Sequence, residues 1–143
     1  MSVKSAGGSI YDQRGDLRLS AAAVTRHYFL WIEVGYLPPM NTSATRRHWS
    51  VAHREVQRWR TIVAAQRPKP LRPLEHARVT CVRMSTREPD HENLCMSFKS
   101  ALDSLVHCGI VVDDSPAHME RVYRWAKARP RCGRVAIRVE EIA

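Results

Sequence analysis

Pro89 and Gly109 punctuate the chain so that a single helix has acid at both of its ends. A residue ahead of proline is pushed away from helical backbone, so no helix begins before Pro89, and Asp90 is well placed as an N-cap with Glu92 in the first turn. Gly109 supplies the backbone freedom of a C-terminal cap. The spacing therefore predicts a helix over about Glu92 to His107, bracketed by Asp90-His91-Glu92-Asn93 and Asp113-Asp114. A Val-rich strand over about His76 to Met84 precedes it, which fixes the order strand, acid, helix, acid.

This acid is out of place in a basic protein. Of the chain's 14 acidic residues, Asp90, Glu92, Asp103, Asp113, Asp114 and Glu120 fall in one window that holds a single base, Lys99, while the net charge is +9. Balances of +1 for residues 1–45, +8 for 46–89, −5 for 90–120 and +5 for 121–143 add to that +9. Carboxylates gathered this way repel one another unless a cation sits among them, which suggests a divalent metal site. Mg²⁺ or Mn²⁺ suits hard oxygen donors best. Basic segments on both sides are what a polyanion selects, since each neutralised phosphate releases counterions. A metal in a basic surround points to chemistry on nucleic-acid phosphate; a basic charge serving solubility alone is the plain alternative.

No stretch approaches the ~20 apolar residues of a spanning helix, and Met1 to Ile10 has no apolar signal region, so no membrane partner and a cytoplasmic location are expected. Cys81, Cys95, Cys108 and Cys132 include no C-x-x-C pair and the seven histidines are scattered, which leaves structural zinc little support. Buried free thiols in a reducing cytosol are the expectation.

At 143 residues the chain is sized for one domain. Residues 1–25 lack sustained periodicity and read as an N-terminal extension, with the single domain over 26–143. Tyr28 to Leu37 alternates Tyr28, Leu30, Ile32, Val34 and Tyr36 on one face with Phe29, Trp31 and Glu33 on the other, a strand stopped by Pro38-Pro39. After a polar loop, Trp49, Ala52, Val56, Trp59 and Val63 form one helical stripe ending before Pro68. Arg46, Arg47, Arg54 and Arg58 then face solvent, where they either meet phosphates or keep the surface wet. Beyond Gly109 a short turn at 116–119 is expected, then a hairpin from Val122, Tyr123, Trp125 and Val135, Ile137, Val139. The predicted architecture is α+β, a small mixed sheet flanked by two main helices.

Along the central helix Glu92, Met96, Lys99 and Asp103 share a face, so Lys99 points along the acidic side. Its ammonium either holds a phosphate or only pairs with Asp103. Acids at the helix start together with one from Asp113-Asp114 can hold a metal that activates water on a phosphodiester.

Pro89-Asp90-His91-Glu92-Asn93-Leu94, followed by Lys99, Asp103, Gly109 and Asp113-Asp114, resembles the signature of RusA-type Holliday-junction resolvases; Leu37-Pro38-Pro39-Met40-Asn41 is similar to that family's turn after its first strand. The resemblance covers about residues 28 to 142. It implies a RusA-like α+β homodimer that cuts four-way or other branched DNA symmetrically with Mg²⁺, in a bacterium or encoded by a phage. It implies catalytic, metal-binding roles for Asp90, Glu92 and Asp114, support from Asp113, Asn93 and Asp103, and Lys99 near the phosphate. Asn41, Arg46, Arg47, Arg54, Arg58, Arg87, Asn93 and Lys99 are the expected DNA contacts. Glu92 stands where aspartate is usual, and Lys99 lies about one turn further along the helix than in the best-known member.

A PD-(D/E)xK nuclease is disfavoured because no lysine has an acid two residues before it, and no G-x-x-x-x-G-K phosphate loop occurs. The competing expectation is a catalytically inert basic DNA-binding protein whose acids only cap and order the loop.

Overall fold

The computed structural model describes residues 27–40 and 49–142. The proposed extension over 1–25, with Asn41, Arg46, Arg47 and the Trp49 side chain, lies outside the described residues. The elements are β1 (Phe29–Val34), α1 (Trp49–Ala64), β2 (Ala77–Ser85), α2 (His91–Ser97), α3 (Lys99–His107), β3 (Met119–Lys127) and β4 (Arg134–Glu141).

They form an α+β fold: one four-stranded mixed sheet in the order β1-β4-β2-β3, with helices packed on it. β4 runs antiparallel to both β1 and β2, and β3 lies parallel to β2. Parallel neighbours need a crossover of a dozen residues or more, which the α2–α3 segment provides. The period-2 patterns are obeyed closely. Leu30 and Ile32 are buried while Phe29 and Trp31 face out, and Ala77, Val79, Cys81, Arg83 and Ser85 form the buried row of β2.

The expected hairpin between the last two strands does not form. Both strands are present, but β2 inserts between them and leaves β3 as an edge. Alternation identifies a strand without naming its neighbour, and the crossover claims the place beside β2 for β3. The turn ahead of β3 is there: the amides of His118 and Met119 both donate to the Ser115 carbonyl, each at 2.9 Å.

The core lies between the sheet and the helices. Trp59 and Val63 of α1 and Leu94, Ala101, Leu102 and Leu105 of α2 and α3 meet Val79, Cys81, Ile137 and Val139. α1 packs mainly against α3. Its predicted stripe holds for Trp59 and Val63, whereas Ala52 is exposed.

The central helix is broken at Phe98, whose backbone (φ −103°, ψ 1°) ends α2 and starts α3. The Ser97 hydroxyl donates to the Leu94 carbonyl at 2.8 Å, a local bond of the kind that competes with a helical ladder, and the Phe98 side chain is wholly buried. Gly109 closes α3 at φ 78°, with its amide bonded to the Val106 carbonyl and that of Ile110 to Leu105. Only a residue without a Cβ adopts that backbone freely.

The four cysteines stand unpaired, but they are not uniformly buried as expected. Cys81 is buried, Cys95 and Cys108 are half-buried, and Cys132 is exposed in the loop before β4.

Candidate functional site

Asp90 is the N-cap of α2. Its Oδ1 accepts from the Asn93 amide at 2.8 Å and its Oδ2 from Asn93 Nδ2 at 3.0 Å, so one neighbour fixes both oxygens. Extended backbone at Asp90, following proline, turns the carboxylate toward the first helical amides. Glu92 projects from the first turn into solvent. Arg87 is exposed in the preceding loop, where its carbonyl accepts from Ser85 Oγ at 2.8 Å.

The second acidic pair is positioned by a short parallel bridge between Leu74 and Val111. The Leu74 amide donates to Ile110 and the Val112 amide to Leu74, which ties the exit of α3 to the segment entering β2. Asp113 and Asp114 follow at once. Asp113 Oδ2 accepts from the Ser115 amide at 3.3 Å, and hydrogen bonding to Ser115 holds its carboxyl below the usual range. Asp114 is half-buried and turns to a cavity.

That cavity, about 180 Å³, is lined by Lys99, Asp103, Asp114, Cys95, Arg121 and Tyr123 among others. Lys99 Nζ lies 3.6 Å from Asp103 Oδ2 across one helical turn. Burial, with smaller contributions from Cys81 and Cys95, pushes the Tyr123 phenol up to about 12, and Arg121 opposes the shift. The acidic start of α2 abuts this wall: His91 meets Tyr123 edge-on, ring centres 6.2 Å apart, and its Nε2 is 3.4 Å from Cys95 Sγ.

Lys99 and Asp103 also border a larger cavity of about 380 Å³, whose far side carries Glu55. Glu55 Oε2 accepts from the Tyr36 hydroxyl and, at 3.0 Å, from Trp59 Nε1. Burial and Glu55 together raise the Tyr36 pKa, and Arg58 lies over the Tyr36 ring, 4.5 Å from its centre. Arg83, on the buried row of β2, is 6% exposed. Its Nη1 donates to the Pro38 carbonyl at 2.7 Å, its Nε has no partner among the described residues, and burial lowers its pKa.

Lys99, Asp103 and Asp114 thus share one cavity, with Asp90, Glu92 and Asn93 at the neighbouring helix start. Met96 joins Lys99 and Asp103 on the common lining, as their spacing predicted, but Glu92 is not part of it. Arg54 and Arg58 are exposed on α1. Among the described residues no three His, Cys, Asp or Glu side chains form a group that could hold a metal ion. The acids are hard oxygen donors, the right chemistry for Mg²⁺, but they are not drawn together into a ready metal cage.

Arg121, Tyr123, Cys95 and Glu55 were missed by sequence reasoning. Alternation along β3 was the available signal for Arg121 and Tyr123, because residues two apart share a face. No protein-family model matches this chain, and no curated protein matches it significantly.

Proposed function

We propose that this chain is a metal-dependent endodeoxyribonuclease that resolves four-way or other branched DNA junctions by paired phosphodiester hydrolysis. The observation that carries the reading is the cavity shared by Lys99, Asp103 and Asp114 beside the Asp90-capped start of α2, in a chain of charge +9. The order and spacing of the residues from Pro89 to Asp114, which resemble the RusA-type signature, supply the reaction class.

Asp90, Glu92 and Asp114, with Asp113 in support, are the residues that would hold Mg²⁺ or Mn²⁺, and binding requires them to move closer than they stand. When held there, such an ion would supply Lewis-acid polarisation of the phosphodiester and would make water a better nucleophile. Asn93 orients Asp90 through two hydrogen bonds. Lys99 presents an ammonium toward a phosphate and is kept in place by Asp103. Exposed Arg54, Arg58 and Arg87 add sequence-independent attraction to the DNA backbone. A homodimer supplies two equivalent sites for symmetric cuts.

The competing reading is an inert DNA-binding protein whose acids only cap and order the loop. Cleavage of a synthetic four-way junction in Mg²⁺ or Mn²⁺ decides between them. Wild-type protein is expected to cut, and Asp90→Asn or Asp114→Asn to abolish cutting while retaining junction binding. Calorimetric titration with Mn²⁺ is expected to show binding that both variants weaken. Intact junctions under every metal condition would sink the nuclease assignment.

A further inference from the structure

Parallel pairing of β3 with β2 sets Arg121 beside Val79 and Tyr123 beside Cys81. Because side chains alternate along a strand, both turn to the face that carries the helices, and Arg121 reaches the wall of the 180 Å³ cavity with Lys99 and Asp114. The two cations of that cavity differ in their pairing. Lys99 is answered by Asp103 at 3.6 Å; for Arg121, among the described residues, no carboxylate oxygen lies within ion-pair distance. Its neighbours are Tyr123 and Cys95 instead: by charge and a side-chain hydrogen bond it opposes the upward push of burial on the Tyr123 phenol, and by charge that on the Cys95 thiol. A guanidinium offers five N–H donors in a rigid fork that matches phosphate oxygens two at a time, which the ammonium of Lys99 does not.

We propose that Arg121 is a phosphate-holding residue of this site, its fork taking the non-bridging oxygens of one DNA phosphate while Lys99 meets the same group from α3. This rests on the nucleic-acid reading above. It assigns Lys99 the point charge and Arg121 the orientation. Arg124 is the built-in control, since it lies three residues on, in register with Val82, and turns to the opposite face of the sheet.

The test is fluorescence anisotropy of a labelled four-way junction in EDTA, repeated over a range of salt concentrations. Arg121→Ala is expected to weaken binding roughly tenfold and to flatten the slope of log K against log[salt] by about 0.9, the release of one phosphate's counterions. Arg121→Gln, which keeps the side-chain stem, is expected to do the same, so the result does not hang on one variant folding. Arg121→Lys is expected to restore the slope and only part of the affinity. Arg124→Ala is expected to leave the slope at the wild-type value. A wild-type slope in Arg121→Ala, or equal flattening in Arg124→Ala, would overturn the role of Arg121. Should wild-type protein bind and cut the junction while Arg121→Ala keeps its slope, only that role falls; should wild-type protein fail to bind, the nuclease reading falls with it.

Discussion

Phe98 joins the break in the central helix to the wall of the candidate site. Its side chain is wholly buried, and its ring lies 6.2 Å from that of Tyr123, tilted by 44°. Phe98→Ala removes a fully buried ring from among Leu94, Ala101 and Leu102. Such truncations cost ~3–5 kcal/mol in lost transfer energy and residual cavity. The aromatic pair with Tyr123 adds about 0.5–1.5 kcal/mol beyond burial, so the expected loss sits at the upper end, ~4–5 kcal/mol. Against a typical total of ~5–15 kcal/mol this leaves a marginal protein. Urea unfolding is expected to show a lower midpoint at an unchanged m-value, and Phe98→Leu to cost under about 1.5 kcal/mol. A loss below ~2 kcal/mol in Phe98→Ala at constant m would refute the packing argument. A double-mutant cycle with Tyr123→Leu isolates the ring pair, and zero coupling would show that the rings do not interact.

Tyr123→Phe separates the phenol from the ring. Because the folded pKa is raised, the stabilisation is fully present below the unfolded value near 10 and is lost as pH rises through about 12. Two pKa units correspond to about 2.7 kcal/mol, which solvent screening of the half-exposed phenol reduces to roughly 1–2 kcal/mol, and a phenolate absorbance titration in which Tyr123 ionises near pH 10 would contradict it. Arg83→Met is expected to be neutral or stabilising by ~1–4 kcal/mol in thermal unfolding, since a buried cation with an unpaired Nε gives way to an apolar chain of similar length. A loss above ~2 kcal/mol would mean that its bond to the Pro38 carbonyl outweighs desolvation. Asp90→Ala is expected to cost about 1 kcal/mol of stability through the lost N-cap, while Asp90→Asn keeps the cap and costs little. Equal losses in urea would remove capping as the cause.

Local chemistry made much of this chain legible before its structure. Pro89, Asp90 and Gly109 carry their positions in their backbone preferences, and both caps stand where those preferences put them. Leu30, Ile32, Trp59 and Val63 were marked by periodicity and are buried. Strand partnership was not legible, because the short link between β3 and β4 suits a hairpin locally and only the crossover excludes it. The break at Phe98 was hidden for a related reason: it is made by a side-chain bond from Ser97 and by burial of one ring, neither of which disturbs an apolar spacing. Arg83 falls on the buried row of β2 by simple alternation, although its charge would ordinarily place such a residue outside. At the site, Arg121 escaped because it becomes part of the cavity only once β3 lies beside β2.

The strand order also sets a sequence of events. Among the described residues β1 pairs only with β4, so Phe29–Val34 gains that neighbour when residues 134–141 take their place. β2, α2, α3 and β3 form a contiguous unit whose contacts are closer in sequence and cheaper to close. During folding that unit can assemble while Leu30 and Ile32 of β1 wait unburied, and the arrival of β4 in the middle of the sheet is what secures them. On that order the acidic helix and its cavity close before β4 ties β1 to the sheet.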